Sequence, residues 1–225
     1  MKAADVMVRN VITVRPETAV ADAVNLLVEN DISALPVVDP QGGLVGIISE
    51  ADLIHRTEIG TQTRRPWLVE SLTAATTLAE EFAKSHGKKV GEIMTTDVVT
   101  ASEDDTLAEI ASLFERHRIK RVPIVRDGLV VGVVSRSNLI QALASVSGAG
   151  VTADDSDRRI RDELLRRLEE QQSWTDFGGR NVTVSHGVVH LWGLITSDAE
   201  RNALITLAEG VPGVARVSDE MFAIY

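Results

Sequence analysis

The sequence has no cysteine. That excludes disulfide scaffolds, cysteine-based zinc sites and thiol catalysis, and it fits a reducing compartment. Basic residues are in the minority, with 23 Lys and Arg against 33 Asp and Glu, a formal net charge of -10 and a pI of about 5.0. A nucleic-acid surface needs a basic face, so nucleic acid is not an expected partner. Long apolar runs are also missing. Leu44 to Ile48 and Leu129 to Val134 are strand-sized, well short of the roughly 20 residues of a membrane span. The N-terminal Met1-Lys2-Ala3-Ala4-Asp5 has neither the apolar core nor the cleavage region of a targeting segment. The expectation is a soluble, cytoplasmic chain. Aromatics make up only 4%, and Trp67, Trp174 and Trp192 read as packing residues rather than stacking platforms.

Motifs of catalysis are absent too. There is no G-x-S-x-G, no P-loop and no H-E-x-x-H among the five histidines. Glu80-Glu81 and Glu169-Glu170 read as solvated helix faces rather than a catalytic dyad. Gly148-x-Gly150-x-x-Ala153 imitates a dinucleotide fingerprint, but it follows a helix and runs into Asp154-Asp155-Ser156-Asp157. The true fingerprint follows a strand and opens a helix. No catalytic residue, no metal and no required cofactor is expected.

What is present is a folded chain of 225 residues, 44% apolar and 25% charged, the size of one or two domains. Its first two thirds hold an internal repeat, the first feature to look for in any chain. Val6-Met7 returns as Ile93-Met94, a shift of 87 residues. At that shift Val11 meets Val98, Thr13 meets Thr100, Leu26 meets Leu113, Ile32 meets Ile119 and Pro36 meets Pro123. The second copy then loses one turn residue. At a shift of 86, Gly46 meets Gly132, Ser49 meets Ser135, and Leu53-Ile54 meets Leu139-Ile140.

Each copy reads as β-α-β-β-α. A short strand (Val11 to Val14; Val98 to Thr100) leads into an amphipathic helix. That helix turns Val20, Val24, Leu27 and Val28, or Leu107, Ile110, Leu113 and Phe114, inward. Thr18 and Asp105 are the predicted N-caps, within a residue. A hairpin follows through Asp39-Pro40-Gln41-Gly42-Gly43 or Arg126-Asp127-Gly128. The closing helices start at Ser49 and Ser135. One such unit buries little surface alone, so two copies are expected to pack as a pair.

The predicted order is repeat 1 over 1–60, a helical insertion over 61–87 anchored by Trp67, repeat 2 over 88–145 and a small-residue linker over 146–154. Arg64 and Arg65 in the insertion read as solvated. The last unit, 155–225, predicts α-β-β-α-β. Its helix opens at Asp155 or Ser156, and strands Asn181 to Ser185 and Val188 to Trp192 join through His186-Gly187. A second helix covers about Ser197 to Glu209, and the final strand runs Ala215 to Phe222. His86 and His190 are expected in turn or surface roles. The fold class is α+β throughout.

The repeated pattern h-P-h-h-D, glycine turn, G-h-h-S-x-x-D resembles CBS domains, regulatory modules named after cystathionine β-synthase. Copy one carries Leu35-Pro36-Val37-Val38-Asp39 and Gly46-Ile47-Ile48-Ser49-Glu50-Ala51-Asp52. Copy two carries Val122-Pro123-Ile124-Val125 and Gly132-Val133-Val134-Ser135-Arg136-Ser137-Asn138. The C-terminal Val182-x-Val184-x-x-Gly187-x-Val189-x-Leu191-x-Gly193, followed by Val211-x-Gly213-Val214, resembles a BON domain.

The CBS resemblance implies an adenosine nucleotide (AMP, ADP or ATP) in clefts between the repeats, and a homodimer through them. It places Ser49 and Asp52 in one cleft and Ser135 and Asn138 in the other, with Ala34 beside the first. Thr13 and Thr100 are expected to line the opposite walls, and Lys120 and Arg121 to contact phosphate. A carboxylate such as Asp52 can accept both ribose hydroxyls. A serine at a helix N-terminus sits where free N–H groups favour phosphate. Copy two departs from the pattern, because Asn138 stands where the aspartate is expected, so two unequal sites are expected. The BON resemblance implies attachment to a protein partner or phospholipid. The competing reading is a non-enzymatic scaffold, in which the CBS pair only dimerises and the BON unit holds the partner.

Overall fold

The computed structural model describes residues 1–54, 61, 86–146, 154–171 and 180–223. The expected insertion with Trp67, Arg64 and Arg65, most of the 146–154 linker, and Trp174 lie outside the described residues. Contacts divide the chain into two compact units. One comprises Met1–Val11, Val99–Asp127 and Val131–Tyr225; the other comprises Ile12–Val98 and Gly128–Val130.

In the second of these units, α1 (Val20–Glu29) precedes the antiparallel hairpin β1 (Ala34–Val38) and β2 (Leu44–Ser49). Then come α2 (Glu50–Leu53) and the one-turn helix α3 (Val90–Ile93). The leading strand shrinks to one parallel bridge, Val14 to Val37. The core gathers Val14, Val20, Leu27, Leu35, Ile48, Val90 and Ile93. Val24 and Val28, expected inward, are exposed, because α1 buries the narrower stripe Val20, Ala23 and Leu27. The cap of α1 falls at Ala19, one residue after Thr18, with no side-chain bond. Thr18 Oγ1 instead accepts the Arg15 N–H.

The other unit opens with a 3-10 turn (Ala3–Asp5) and continues with α4 (Leu107–His117), the hairpin β3 (Arg121–Arg126) and β4 (Leu129–Ser135), and α5 (Arg136–Ser145). Its leading strand is again a single parallel bridge, Ala101 to Ile124. Thr106, one residue past the expected Asp105, caps α4 in a capping box with Glu109. Asp127 and Gly128 both take positive φ, the backbone of a two-residue hairpin turn whose twist matches its strands. Ile110, Phe114, Val122, Ile124 and Val134 fill the core together with Ala3, Val6 and Met7.

The leading segments therefore pack crosswise. Met7-Val8 lies on β4, with a bridge from Val8 to Val133, while Met94-Thr95 lies on β2, with a bridge from Thr95 to Ile47. Gly46 and Gly132 make room for this. A Cβ at Gly46 would stand 2.5 Å from Met94 Sδ, and one at Gly132 would stand 2.5 Å from Met7 Sδ. The repeated glycine and the repeated methionine are two halves of one contact.

The C-terminal residues of the same unit form α6 (Asp155–Glu169), β5 (Asn181–Ser185), β6 (Val188–Ile195), α7 (Asp198–Glu209) and β7 (Arg216–Ala223). The sheet order is β5-β6-β7, antiparallel then parallel. One face covers Ile160, Leu164, Leu168, Leu204 and Met221. The buried Asp157 carboxylate accepts the N–H groups of His186 and Gly187 at 2.9 and 2.8 Å, tying α6 to the hairpin turn. His190, expected at the surface, is buried and stacks on Trp192, because alternation along β6 puts it on the polar second face of the sheet. Burial lowers its pKa, against a partly offsetting pull from Glu220.

Candidate functional site

Four of the expected residues belong to repeat 1. Ala34 pairs with Ser49 across the hairpin register. The Ser49 N–H and hydroxyl both donate to Asp52 Oδ2, at 2.9 and 2.8 Å. One carboxylate oxygen thus holds the N-terminus of α2, where an acid is also favoured by the helix dipole. The other oxygen, Oδ1, accepts from the Thr95 hydroxyl at a long 3.3 Å. Asp52 is half-buried. Thr13 is exposed beside Val14, which pairs with Val37. It is two residues in register from Ala34.

Thr95 went unforeseen. The repeat pointed to it, since at a shift of 87 it corresponds to Val8, the residue after the leading methionine. A hydroxyl replaces one of the valine methyls there, in the copy that packs against the aspartate.

Five more expected residues belong to repeat 2. The Ser135 N–H and hydroxyl donate to Asn138 Oδ1, both at 2.8 Å, reproducing the first box with an amide in place of the carboxylate. The Lys120 carbonyl accepts the Arg136 N–H at 3.0 Å, as the Ser33 carbonyl accepts the Glu50 N–H in repeat 1. Lys120 is exposed, and Arg121 opens β3 half-buried. Thr100 lies beside Ala101, which bridges Ile124.

The amide of Asn138 has another engagement. Asn138 is 5% exposed, and its Nδ2 donates to Gln141 Oε1 at 3.1 Å. The same oxygen accepts from Asn181 Nδ2, on β5, at 2.9 Å. This is part of a contact between repeat 2 and the C-terminal residues that sequence reasoning missed. Arg161 on α6 is buried and donates to the carbonyls of Val182 at 2.8 Å, Ala4 at 2.8 Å and Met7 at 2.6 Å. Burial, reinforced by nearby Arg9, pulls its pKa down to about 9, so it remains charged at neutral pH. Arg158 pairs with the buried Asp5 at 2.8 Å, and the hydroxyls of Ser145 and Thr183 meet at 2.6 Å.

An apolar groove of about 900 Å³ lies along α1 and α2, lined by Val20, Val24, Val28, Ile32, Leu53 and Ile54, with Glu50 and Lys88 at its edge. Among the described residues, no cluster of three or more histidine and acidic side chains could hold a metal ion, and no helix is long and apolar enough to cross a membrane.

The family model for the CBS domain matches residues 3–58 and 90–145, and that for the BON domain matches 156–222. The chain is 34% identical over 143 residues to the uncharacterised protein MJ1426 of Methanocaldococcus jannaschii, covering 59% of this chain and 85% of that protein. It is 30% identical over 144 residues to the chloroplastic CBS domain-containing protein CBSX2 of Arabidopsis thaliana, covering 61% of this chain. The match spans about 60% of that plant protein's length. A crystal structure of CBSX2 in complex with AMP superposes with a TM-score of 0.57 at 30% identity, covering 65% of this chain and 98% of that one. The paired boxes, the crosswise leading segments and these matches agree: the chain belongs to the CBS-domain family, as a tandem CBS pair followed by a BON domain.

Proposed function

We propose that this chain is a regulatory, non-enzymatic module that binds an adenosine nucleotide (AMP, ADP or ATP) on its CBS pair, with Asp52 as the ribose-recognising residue. The observation that carries this reading is the division of labour in the Asp52 carboxylate. One oxygen caps α2, and the other accepts a long hydrogen bond from the Thr95 hydroxyl. An oriented carboxylate oxygen on a half-buried side chain, beside a serine at a helix start, is the chemistry a ribose hydroxyl asks for. The AMP complex of CBSX2 supports the ligand class. Lys120 and Arg121 are the proposed phosphate contacts, and Thr13, Ala34, Thr100, Ser135 and Asn138 complete the candidate residues of the pair.

Regulation requires that the nucleotide bind two states of the protein unequally. The BON domain is the proposed element that carries the change to a partner. Val28, Ile54, Ile140 and Leu143 are exposed, and burying them against a second copy supports a homodimer. Sedimentation at rising concentration tests that directly, and a monomer at every concentration overturns it.

A thermal-shift screen of AMP, ADP, ATP, cyclic nucleotides, NAD(H) and S-adenosylmethionine tests the ligand. At a concentration of about 100 times Kd, a ligand stabilises by about 2.7 kcal/mol, a shift of several degrees. A shift present in the wild type and lost in Asp52→Asn supports the proposal. The asparagine keeps the cap, as Asn138 does in repeat 2, so the loss cannot be blamed on the helix. No shift with any adenosine ligand overturns the proposal, and favours a scaffold in which the pair only dimerises.

A further inference from the structure

Asn138 sits in a hydrogen-bond chain whose direction is fixed at both ends by backbone groups. At one end, its Oδ1 is claimed by the Ser135 N–H, so its Nδ2 must point away from the box, toward Gln141. At the other end, Asn181 Oδ1 accepts the Val182 N–H at 2.9 Å, and its Nδ2 donates to the Val6 carbonyl at 3.0 Å. Asn181 therefore also presents N–H to Gln141. Gln141 Oε1 is left as a shared acceptor with a donor on each side, and residue 138 has to be a donor. A carboxylate at 138 would set oxygen against oxygen, because an ionised aspartate has no N–H to give.

Repeat 1 marks the contrast. Asp52 makes the same box, but its second oxygen accepts from the Thr95 hydroxyl, where Asn138 presents an N–H. The departure from the aspartate pattern at 138 thus coincides with the one box against which β5 is seated.

We propose that the S-x-x-N box of repeat 2 is an internal docking latch for the BON domain. In it, Asn138 acts through Gln141 to hold Asn181, and asparagine in place of aspartate is what permits the domain to dock. Asn138 is then a positioning residue of the interface. The amide that a ribose would have to engage is the amide that holds β5, so a ligand at this box and a seated BON domain compete for one group. Arg161, the Arg158–Asp5 pair and the Ser145–Thr183 pair supply further bonds of the contact, and the latch supplies its polarity.

Hydrogen exchange read by mass spectrometry on the full chain tests this without any nucleotide, so failure of the nucleotide proposal leaves the test intact. Three variants are compared with the wild type. Asn138→Asp keeps the box, as Asp52 shows, but removes the donor. Gln141→Leu removes the shared acceptor and leaves the box untouched. Gln141→Glu keeps an acceptor for both amides. The first two are expected to speed exchange in peptides covering 181–185 about tenfold or more, the size of effect a broken buried hydrogen bond produces. Peptides of repeat 1, over 34–49, stay at wild-type rates, which shows that the fold is kept. Gln141→Glu stays near wild type over 181–185. Wild-type protection in Asn138→Asp or in Gln141→Leu overturns the latch, and so does release by Gln141→Glu equal to that of Gln141→Leu.

Discussion

The two repeats build the same serine box on the same hairpin and use its far side differently. In repeat 1 the acid spends one oxygen on the helix and the other accepts from the Thr95 hydroxyl at 3.3 Å. In repeat 2 the amide spends its oxygen the same way and buries its nitrogen against Gln141. Capping therefore does not distinguish aspartate from asparagine, since either oxygen accepts from the serine. What distinguishes them is the second atom, which is an acceptor in one copy and a donor in the other. A duplicated motif can keep its structural half and change the half that meets the outside.

The largest predicted effect lies where repeat 2 has gained something repeat 1 lacks. Arg161→Met strips the donors from three backbone carbonyls, those of Val182, Ala4 and Met7. Each orphaned buried acceptor costs about 1–3 kcal/mol, so chemical denaturation should show a loss of about 3 kcal/mol or more. Peptides over 34–49, which Arg161 does not touch, should be spared in native-state exchange.

Glu200 gives the C-terminal sheet an acid dependence of its own. Burial pushes its carboxyl up, but the Thr196 N–H, the Arg180 guanidinium and the Thr196 hydroxyl outweigh that and hold it at about 2. A folded-state pKa below the ordinary 4.5 means stability fully present above that pH and lost as pH falls toward about 2. Glu200→Gln should flatten this slope and cost about 1.5–3 kcal/mol at neutral pH, measured by denaturation at several pH values.

Where the repeats agree, they should respond alike. Gly46→Ala and Gly132→Ala each press a methyl into a methionine sulfur at 2.5 Å. Each should cost about 1–3 kcal/mol by overpacking, with partial rescue by Met94→Ala and Met7→Ala respectively. Unequal costs would show that the crosswise packing is not equivalent in the two copies. The smallest effects concern caps. Thr106→Ala should cost about 1 kcal/mol, while Ala19→Ser, at a cap with no side-chain bond, should gain somewhat less.

Much of this was legible in the residues. Two ordered motifs in one shifted register announced the duplication, and alternating valines with His186-Gly187 announced the last sheet. Helix caps were placed within a residue, because short polar side chains before an apolar period act locally. Longer-range facts were harder to read. Val24 and Val28 fit the apolar period of α1 yet face outward, since periodicity names a stripe wider than the one the core covers. The leading strands shrank to single bridges, because a strand's length is set by its neighbour. Thr95 and the Asn138–Gln141–Asn181 chain depend on segments far apart in sequence. The Val8-to-Thr95 change and the mismatch at 138 are their only local signs, and the mismatch by itself reads equally well as a weakened ligand site. His190 was misplaced for the same reason, as nothing in its own neighbourhood tells which face of the sheet is covered.

The account rests on Asp52 carrying ribose recognition while Asn138 does not. Calorimetric titration of AMP into the full chain, run beside Asp52→Asn and Asn138→Asp, tests it most directly. The account predicts that Asp52→Asn weakens binding at least about tenfold, the loss of a charge-assisted hydrogen bond, while Asn138→Asp keeps the wild-type affinity of that site. Wild-type affinity in Asp52→Asn would contradict it.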